Sequence, residues 1–174
     1  SYLGNLGYQR NKQLLKLGKA IKNCSNAPEF IDVYSSEIRE EILNDFTLEN
    51  GINFHGAVTA EAVKDVMAKS KFLVHTESFD TQIRKAIKYS VSTKIADSLM
   101  SGSCLLAFGP EEVASMSYLR DNKAAFIITE NDDIKGKLEE IFSDNEMYNI
   151  IKNNAMTLAR KNHNSNTNAS FIKQ

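Results

Sequence analysis

The sequence contains few of the residues that mark several large classes of protein. Its 174 residues include no Trp, only two Pro and only two Cys. The cysteines, Cys24 and Cys104, have no disulfide or metal-ligand spacing, and Cys104 lies in the apolar run CLLAF, which predicts a buried side chain. No apolar run approaches the roughly 20 residues of a membrane span. These absences argue against a disulfide scaffold and a membrane-spanning chain, and since no signal peptide is visible we expect a cytoplasmic protein.

The charge of the chain is nearly balanced, with 21 Lys and Arg against 22 Asp and Glu. A balanced chain has no long-range basic field, so we expect no nucleic-acid partner, and any anion must be bound at a local site. The sequence contains no P-loop, no G-x-G-x-x-G, no G-x-S-x-G and no His/Cys cluster with metal-ligand spacing. We therefore expect neither a metal nor a resident cofactor.

Short apolar runs alternate with segments of helical periodicity along most of the chain. This alternation is typical of an α/β, Rossmann-like fold, a parallel sheet with helices on both faces. A first strand ends near residue 3, and the later predicted strands cover residues 30–35, 52–56, 71–76, 103–109 and 124–129. The predicted helices cover residues 9–23, 36–46, 60–70, 92–101, 111–122, 132–142 and 146–162.

The same patterns define the expected domain organisation. We expect one domain over residues 1–162, with a polar stretch at 77–90, and an Asn-rich, loosely ordered tail over residues 163–174. In parallel sheets, ligands bind beyond the carboxyl ends of the strands, where helix N-termini gather. The strand-to-helix junctions are therefore the places to look for function.

The first junction reads GNLGYQRNK. Gly4 and Gly7 permit a tight turn with close approach of the backbone to a ligand. Arg10 and Lys12 follow at the start of a helix, where the helix dipole disfavours cations. Lys12 is as readily a solvated surface residue as a ligand, whereas Arg10 follows the glycine turn directly.

The second junction reads YSVSTKIADSLMSG, in which Ser92 is the expected N-cap. Lys94 then lies in the first turn, again at the unfavourable end for a cation. One anion with several charges, bound between the two helix starts by Arg10, Lys94 and the amides of Ser92 and Thr93, explains both placements. Asp97, one turn further, is placed to accept hydrogen bonds from ribose hydroxyls, and an ion pair with Lys94 is the alternative.

Two further junctions carry weaker signals. HTESFD places His75 and Glu77 at the carboxyl end of a strand, where they either reach a substrate or serve the structure. HGAVT is a short turn in which the backbone groups of Ala57 and Val58 are placed to face a nucleotide base.

Three segments, in this order, resemble the C-terminal domain of the group 1 glycosyltransferases. These are enzymes of the GT-B architecture, in which two Rossmann-like domains face a cleft. The resemblance covers nearly the whole chain and is carried by YLGNLGYQRNKQLLKLGKAI, INFHGAVTAEAVKDVMAKSKFLVHTESFD and STKIADSLMSGSCLLAFGP. It implies a domain that binds a UDP- or GDP-sugar and takes part in transfer of a hexose to a glycan or lipid-linked acceptor, as in polysaccharide biosynthesis.

The resemblance also implies how the whole enzyme works. Transfer would proceed without a metal and with retention of the anomeric configuration. The acceptor would be bound by an N-terminal domain absent from this chain, through which any peripheral membrane association would occur. This chain alone would be inactive.

Within the family, a Gly-Arg turn and a following Lys bind the diphosphate. Here the turn reads Gly4-Asn5, and Arg10 falls close to the position of the family's Lys. The resemblance implies a catalytic role for Arg10 and Lys94, whose charges stabilise the leaving diphosphate.

The family also carries a glutamate pair, E-x7-E, whose second member holds the ribose. Asp97 occupies the second place, Tyr89 stands at the first, and Glu77 is a candidate to supply the first carboxylate. The implied donor-binding residues are Gly4, Asn5, Arg10, Ala57, Val58, Glu77, Ser92, Thr93, Lys94 and Asp97.

Two other functions fit the same residues. One is half of a nucleotide-sugar epimerase of the same architecture, which would need a His or carboxylate base. The other is a non-catalytic α/β binding module, in which the basic helix starts are incidental. The residues do not name the base, the sugar, the acceptor or the oligomeric state.

Overall fold

The computed structural model describes residues 1–163, which form an alternating series of strands and helices. The strands are β1 (Tyr2–Leu3), β2 (Ile31–Tyr34), β3 (Ile52–Gly56), β4 (Phe72–Thr76), β5 (Cys104–Phe108) and β6 (Phe126–Ile128). The helices are α1 (Arg10–Lys22), α2 (Glu40–Asp45), α3 (Ala60–Lys69), α4 (Thr81–Ile87), α5 (Lys94–Met100), α6 (Ala114–Asp121), α7 (Ile134–Ser143) and α8 (Asn145–Asn162). The tail was expected to cover residues 163–174, of which only His163 is among the described residues. The expectation for the tail therefore lies outside the part of the chain that the structure describes.

The strands form two parallel three-stranded sheets that meet edge to edge. The sheet orders are β1-β2-β3 and β4-β5-β6, and all neighbours run parallel. The N–H of Val74 donates to the carbonyl of Ser1 at 2.8 Å, and the amine of Ser1 donates to the carbonyl of Phe72 at 2.7 Å. These bonds place β1 beside β4 and give the order 3-2-1-4-5-6 of the doubly wound Rossmann fold. The predicted fold class is confirmed.

Strand β5 shows how both faces of the sheet are covered. Leu106 and Phe108 point into one apolar cluster, which α1 and α7 close, whereas Leu105 and Ala107 point into a second, which α5, α6 and α8 close. A strand buried on both faces is apolar throughout, which explains the run CLLAF. Cys104 is buried as predicted, and burial raises the pKa of its thiol to about 12.

Two local predictions were wrong, each for an identifiable reason. Ser92 does not cap α5, because the helix begins at Lys94 and the Ser92 carbonyl accepts the N–H of Ile95 at 3.0 Å. Residues 36–39 precede α2 as a loop, since the N–H of Glu37 is bonded by Ser35 Oγ at 3.2 Å. The polar stretch 77–90, for which no helix or strand was predicted, contains α4, which Asp80 caps by accepting the N–H groups of two residues of its first turn. By contrast, Thr59 caps α3 as expected.

Helix α1 packs closely against the turn before β3. A Cβ atom on Gly18 would lie 2.7 Å from the carbonyl oxygen of Asn50 and 2.8 Å from Cγ1 of Ile52. Gly51, at φ 71°, completes this contact from the other side. Close contact at this point fixes the lateral position of α1, and with it the position of Arg10 at its first turn.

We expect Gly18→Ala to lower the free energy of unfolding by about 1–3 kcal/mol, the usual cost of overpacking against atoms that cannot move aside. Gly136→Ala is the matched control in another helix, because its Cβ would meet only the carboxylate of Asp133, a flexible side chain. Urea unfolding of both variants measures the difference. An unchanged midpoint for Gly18→Ala would contradict the proposed close packing.

Candidate functional site: an anion-binding edge between β1 and β4

The residues predicted for function gather where β1 and β4 end side by side. In the order 3-2-1-4-5-6, this is the point at which the strand order reverses and ligands bind. Two adjoining cavities lie here, of about 170 and about 320 Å³. Both are lined by Leu3, Gly4, Asn5, Met67 and Lys94.

The glycine turn after β1 is held by bonds that the sequence did not reveal. The N–H of Leu6 donates to Glu37 Oε1 at 2.9 Å, and the Tyr2 hydroxyl donates to the carbonyl of Asn5 at 2.6 Å. The N–H of Gly4 donates to the carbonyl of Tyr34 at 3.0 Å. The turn is therefore fixed before any ligand binds.

Arg10 is the first residue of α1, and its guanidinium is held from behind by a buried carboxylate. Arg10 Nη2 lies 2.9 Å and Nε 3.2 Å from Glu77 Oε2, and Nε also donates to the carbonyl of Thr76 at 3.2 Å. The side chain of Glu77 is 3% exposed and that of Arg10 is 18% exposed. The remaining N–H groups of Arg10 are free to face the smaller cavity, which Arg10 lines.

Lys94 is the first residue of α5, so both predicted cations stand at helix starts. A Cβ on Gly4 would lie 3.1 Å from Lys94 Nζ, which places the ammonium against the glycine turn. Desolvation lowers the pKa of Lys94, and the nearby charge of Arg10 lowers it further, while Asp97 acts in the opposite direction. Within residues 1–163, Lys94 has no ion-pair partner.

The other predicted residues divide between the two cavities. Ser92 and Thr93 line the smaller cavity beside Arg10, and their N–H groups donate no hydrogen bond within the described residues. Ala57, Val58 and Asp97 line the larger cavity. Asp97 makes no ion pair with Lys94 within the described part of the chain, which leaves its carboxylate available.

Two residues considered in the sequence analysis, Lys12 and Tyr89, do not line either cavity. Lys12 is exposed, lines neither cavity and acts electrostatically on Asp80, as expected of a solvated side chain. Tyr89, which stands at the position of the first glutamate of the E-x7-E pair, is 86% exposed in the loop between α4 and α5. This position therefore supplies no carboxylate.

Glu77 lies behind the cavity rather than in its wall. Besides Arg10, it accepts a bond from Ser115 Oγ at 3.4 Å, and its Oε1 lies 3.5 Å from Nε2 of His75. His75 itself lines the smaller cavity. Burial, followed by the charge of Arg10, lowers the pKa of His75, whereas Glu77 raises it, and the net direction is downward.

Sequence reasoning missed Glu37, Ser115 and the carbonyl of Thr76. Glu37 holds the glycine turn through the N–H of Leu6, whereas Ser115 contacts Glu77 and the Thr76 carbonyl contacts Arg10. Each contact joins distant parts of the chain, so no local spacing marks it. The helix α4 could have been found, because Asp80 precedes Ile83 and Ile87 at helical spacing.

Other features of the described residues point away from competing sites. A third cavity, of about 570 Å³, is lined by Phe30, Ile31 and Lys71 near the amino ends of the strands and contains none of the predicted residues. Residues 1–163 contain no group of three His, Cys, Asp or Glu side chains arranged to hold a metal ion. Over the same residues, no helix has the length and apolar character needed to span a bilayer.

No protein-family model matches the sequence, and no curated protein matches it. Solved structures do match. The chain is 17% identical to Anabaena Alr3699/HepE, solved with UDP, over 99% of this chain and 46% of that one, with a TM-score of 0.72. It is 14% identical to a mutant of S. aureus TarM, solved with fondaparinux, α-GlcNAc-glycerol and UDP. This match covers 95% of this chain and 33% of that one, with a TM-score of 0.70. It is 12% identical to WaaG, a glycosyltransferase involved in lipopolysaccharide biosynthesis. This match covers 93% of this chain and 43% of that one, with a TM-score of 0.66.

These similarities establish the fold. The matching proteins are GT-B glycosyltransferases, and the chain has the architecture of one Rossmann-like half of them. It spans between a third and just under half of the length of these proteins. The resemblance inferred from the sequence is confirmed at the level of fold.

The pair of Arg10 and Glu77 generates a stability prediction. We expect Glu77→Gln to lower the free energy of unfolding by about 2–3 kcal/mol, less than for a fully buried pair because Arg10 reaches solvent. Glu111→Gln is the control, since Glu111 pairs with Arg120 at 3.5 Å on the surface and should change stability by less than about 0.5 kcal/mol. Thermal unfolding measures the stability of both variants. Equal losses of stability would contradict a stabilising ion pair between Arg10 and the buried carboxylate of Glu77.

Proposed function

We propose that this chain is the donor-binding domain of a nucleotide-sugar glycosyltransferase. The observation that carries the proposal is that α1 and α5 both begin with a cation, Arg10 and Lys94, and that both cations line one cavity beside a glycine turn. Cations at helix starts oppose the helix dipole at a cost of about 0.3–1 kcal/mol each. A diphosphate between them removes that cost and gains charge-assisted hydrogen bonds.

The two cavities suggest how the donor lies across the sheet. The diphosphate is bound over Gly4 and Asn5 by Arg10, Lys94 and the free amides of Ser92 and Thr93. The nucleoside enters the larger cavity, where the Asp97 carboxylate accepts hydrogen bonds from the ribose and the Ala57-Val58 backbone faces the base. UDP complexes of HepE and TarM, which share this fold, support a nucleoside diphosphate as the ligand class.

The proposed reaction follows from the placement of the charges. The bond between the anomeric carbon and the diphosphate oxygen breaks, and its electron pair stays on the diphosphate. The acceptor hydroxyl oxygen bonds to the anomeric carbon, and its proton passes to the departing diphosphate or to water. Arg10 and Lys94 stabilise the charge that develops on the leaving group, so we propose hexosyl transfer that needs no metal. We propose retention of the anomeric configuration from the resemblance to the group 1 glycosyltransferases alone.

The proposal extends to the protein as a whole. Because the chain has the length of less than half of the matching enzymes, we propose that a glycan or lipid-linked acceptor is bound by another, N-terminal domain. Such a domain would face the cavities across a cleft and would carry any peripheral membrane contact. This chain alone would then bind the donor without turnover, in the cytoplasm.

Ligand-observed NMR of the chain with UDP, GDP, ADP and their common sugar conjugates tests the proposal. We expect saturation transfer to one nucleoside diphosphate and its sugar conjugates, which would also identify the base. Absence of transfer to every one of them would support the non-catalytic binding module instead.

We expect Lys94→Ala to weaken binding of that nucleoside diphosphate by about 10- to 150-fold, since a hydrogen bond to a charged group contributes about 1.5–3 kcal/mol. Lys85→Ala, an exposed lysine of α4 that lines neither cavity, is the matched control. Isothermal titration calorimetry gives both dissociation constants. If the two variants lose affinity equally, Lys94 is an ordinary surface lysine.

Asp97→Ala should separate the two parts of the ligand. We expect the variant to lose affinity for the nucleoside diphosphate while it keeps its affinity for inorganic pyrophosphate, because the carboxylate contacts only the ribose. Asp121→Ala, which removes an exposed carboxylate on α6, is the control. Competition binding measures both ligands, and a parallel loss for both would contradict the ribose role.

A further inference from the structure

One buried carboxylate, that of Glu77, lies next to two side chains that line the same cavity and is hydrogen-bonded by only one of them. Glu77 Oε2 is bonded by Arg10 at 2.9 Å, and Glu77 Oε1 lies 3.5 Å from His75 Nε2. The His75 Nε2 atom is buried and makes no hydrogen bond within the described residues. The carboxylate is therefore committed to Arg10 in this state, and His75 has a potential partner that it does not use.

The electrostatic surroundings of His75 come from several elements. Within residues 1–163, the charged or titratable groups that contact it or share its cavity are Glu77 after β4, the Ser1 amine before β1, Tyr2 on β1, Arg10 on α1 and Lys94 on α5. Ser115 on α6 adds a neutral hydroxyl. Burial opposes a further proton on the imidazole most strongly, and the charge of Arg10 adds to that opposition.

We propose that His75 is a third, proton-dependent member of the anion site: it is neutral while the cavity is empty and takes up a proton when a diphosphate binds to Arg10 and Lys94. The bound anion offsets the charge of Arg10, so that only burial still opposes the attraction of Glu77 for an imidazolium. The protonated Nε2 then donates to Glu77 Oε1, and the buried ring nitrogen gains the partner that it lacks. This inference rests on the proposed function of the same cavity.

The coupling has a defined sign. The pKa of His75 is lowered in the empty site chiefly by burial; Glu77 acts in the opposite direction, and Arg10 lowers the pKa by a smaller amount. We expect ligand binding to raise this pKa, because the anion offsets the charge of Arg10. A ligand that raises a pKa binds more tightly at low pH, and this gain is lost as the pH rises through the pKa of the bound state. A coupling of about half to one pKa unit corresponds to roughly 3- to 10-fold in affinity.

Calorimetry of the chain with UDP-glucose and with GDP-mannose tests the proposal. Both probes are phosphodiesters that do not themselves titrate near neutral pH. Titrations at pH 6 in buffers of different ionisation enthalpy measure the protons taken up per ligand. With the probe that binds, we expect fractional uptake, at most roughly a quarter to half a proton for a coupling of about half to one pKa unit, and affinity that falls by up to roughly 3- to 10-fold between pH 5.5 and 8.

The variants assign the proton to one residue. His75→Gln should abolish the His-dependent uptake and flatten the pH profile, while His55→Gln should leave both unchanged, because His55 pairs with Asp32 at 2.6 Å away from the cavity. The difference between wild type and His75→Gln removes any contribution of the Ser1 amine. In the wild-type chain, which contains three His, NMR titration of the His75 ring with and without the probe gives the pKa change without relying on a variant.

The outcomes are distinct. Binding with uptake that depends on His75, and an upward change of its pKa in the NMR titration, supports the proposal. Binding without that dependence overturns this inference and leaves the proposed function standing. Binding of neither probe overturns the proposed function, and this inference with it.

Discussion

The pairing of β1 with β4 is the constraint on which the rest of the site depends. The bond from the N–H of Val74 to the carbonyl of Ser1 joins two three-stranded sheets into one order. The strands that follow β1 in sequence lie on one side of this pair, and those that follow β4 lie on the other side. The segments that leave the carboxyl ends of β1 and β4 therefore diverge, and a crevice opens between them. The glycine turn, the start of α1 and the start of α5 all face that crevice.

Two cations stand in this crevice at positions that are electrostatically unfavourable in the absence of a ligand. Arg10 and Lys94 begin helices whose dipoles disfavour them, and the charge of Arg10 contributes to lowering the pKa of Lys94. Proteins tend to break such local rules at functional sites, where a ligand compensates. Glu77 pairs with Arg10, whereas Lys94 has no ion pair among residues 1–163, so one uncompensated positive charge lies beside the cavity in which we propose that an anion binds.

Much of the fold could be predicted from sequence because apolar runs and helical periods are local signals. CLLAF and FIDVYS predicted strands, and Thr59 predicted a helix start, since each depends on a few neighbouring residues. The loop at 36–39 and the start of α5 could not be predicted, because both depend on bonds between distant residues. Glu37 accepts the N–H of Leu6, and the carbonyl of Lys88, in the segment before α5, accepts the N–H of Ala114 at 2.8 Å. In the site, Arg10, Lys94 and Asp97 carried a local signal in their helix positions. The pairing of Glu77 with Arg10 did not, since 67 residues separate the two.

The central claim is that the anion is bound between the starts of α1 and α5. Mapping backbone amide shifts of the isotope-labelled chain during titration with UDP, or with GDP if UDP does not bind, tests this claim most directly. The account predicts that the largest shifts fall on Gly4, Asn5, Thr93 and Lys94, with smaller ones at Ala57 and Val58. Shifts confined to the cavity near Phe30 and Lys71, at the opposite end of the strands, would contradict it.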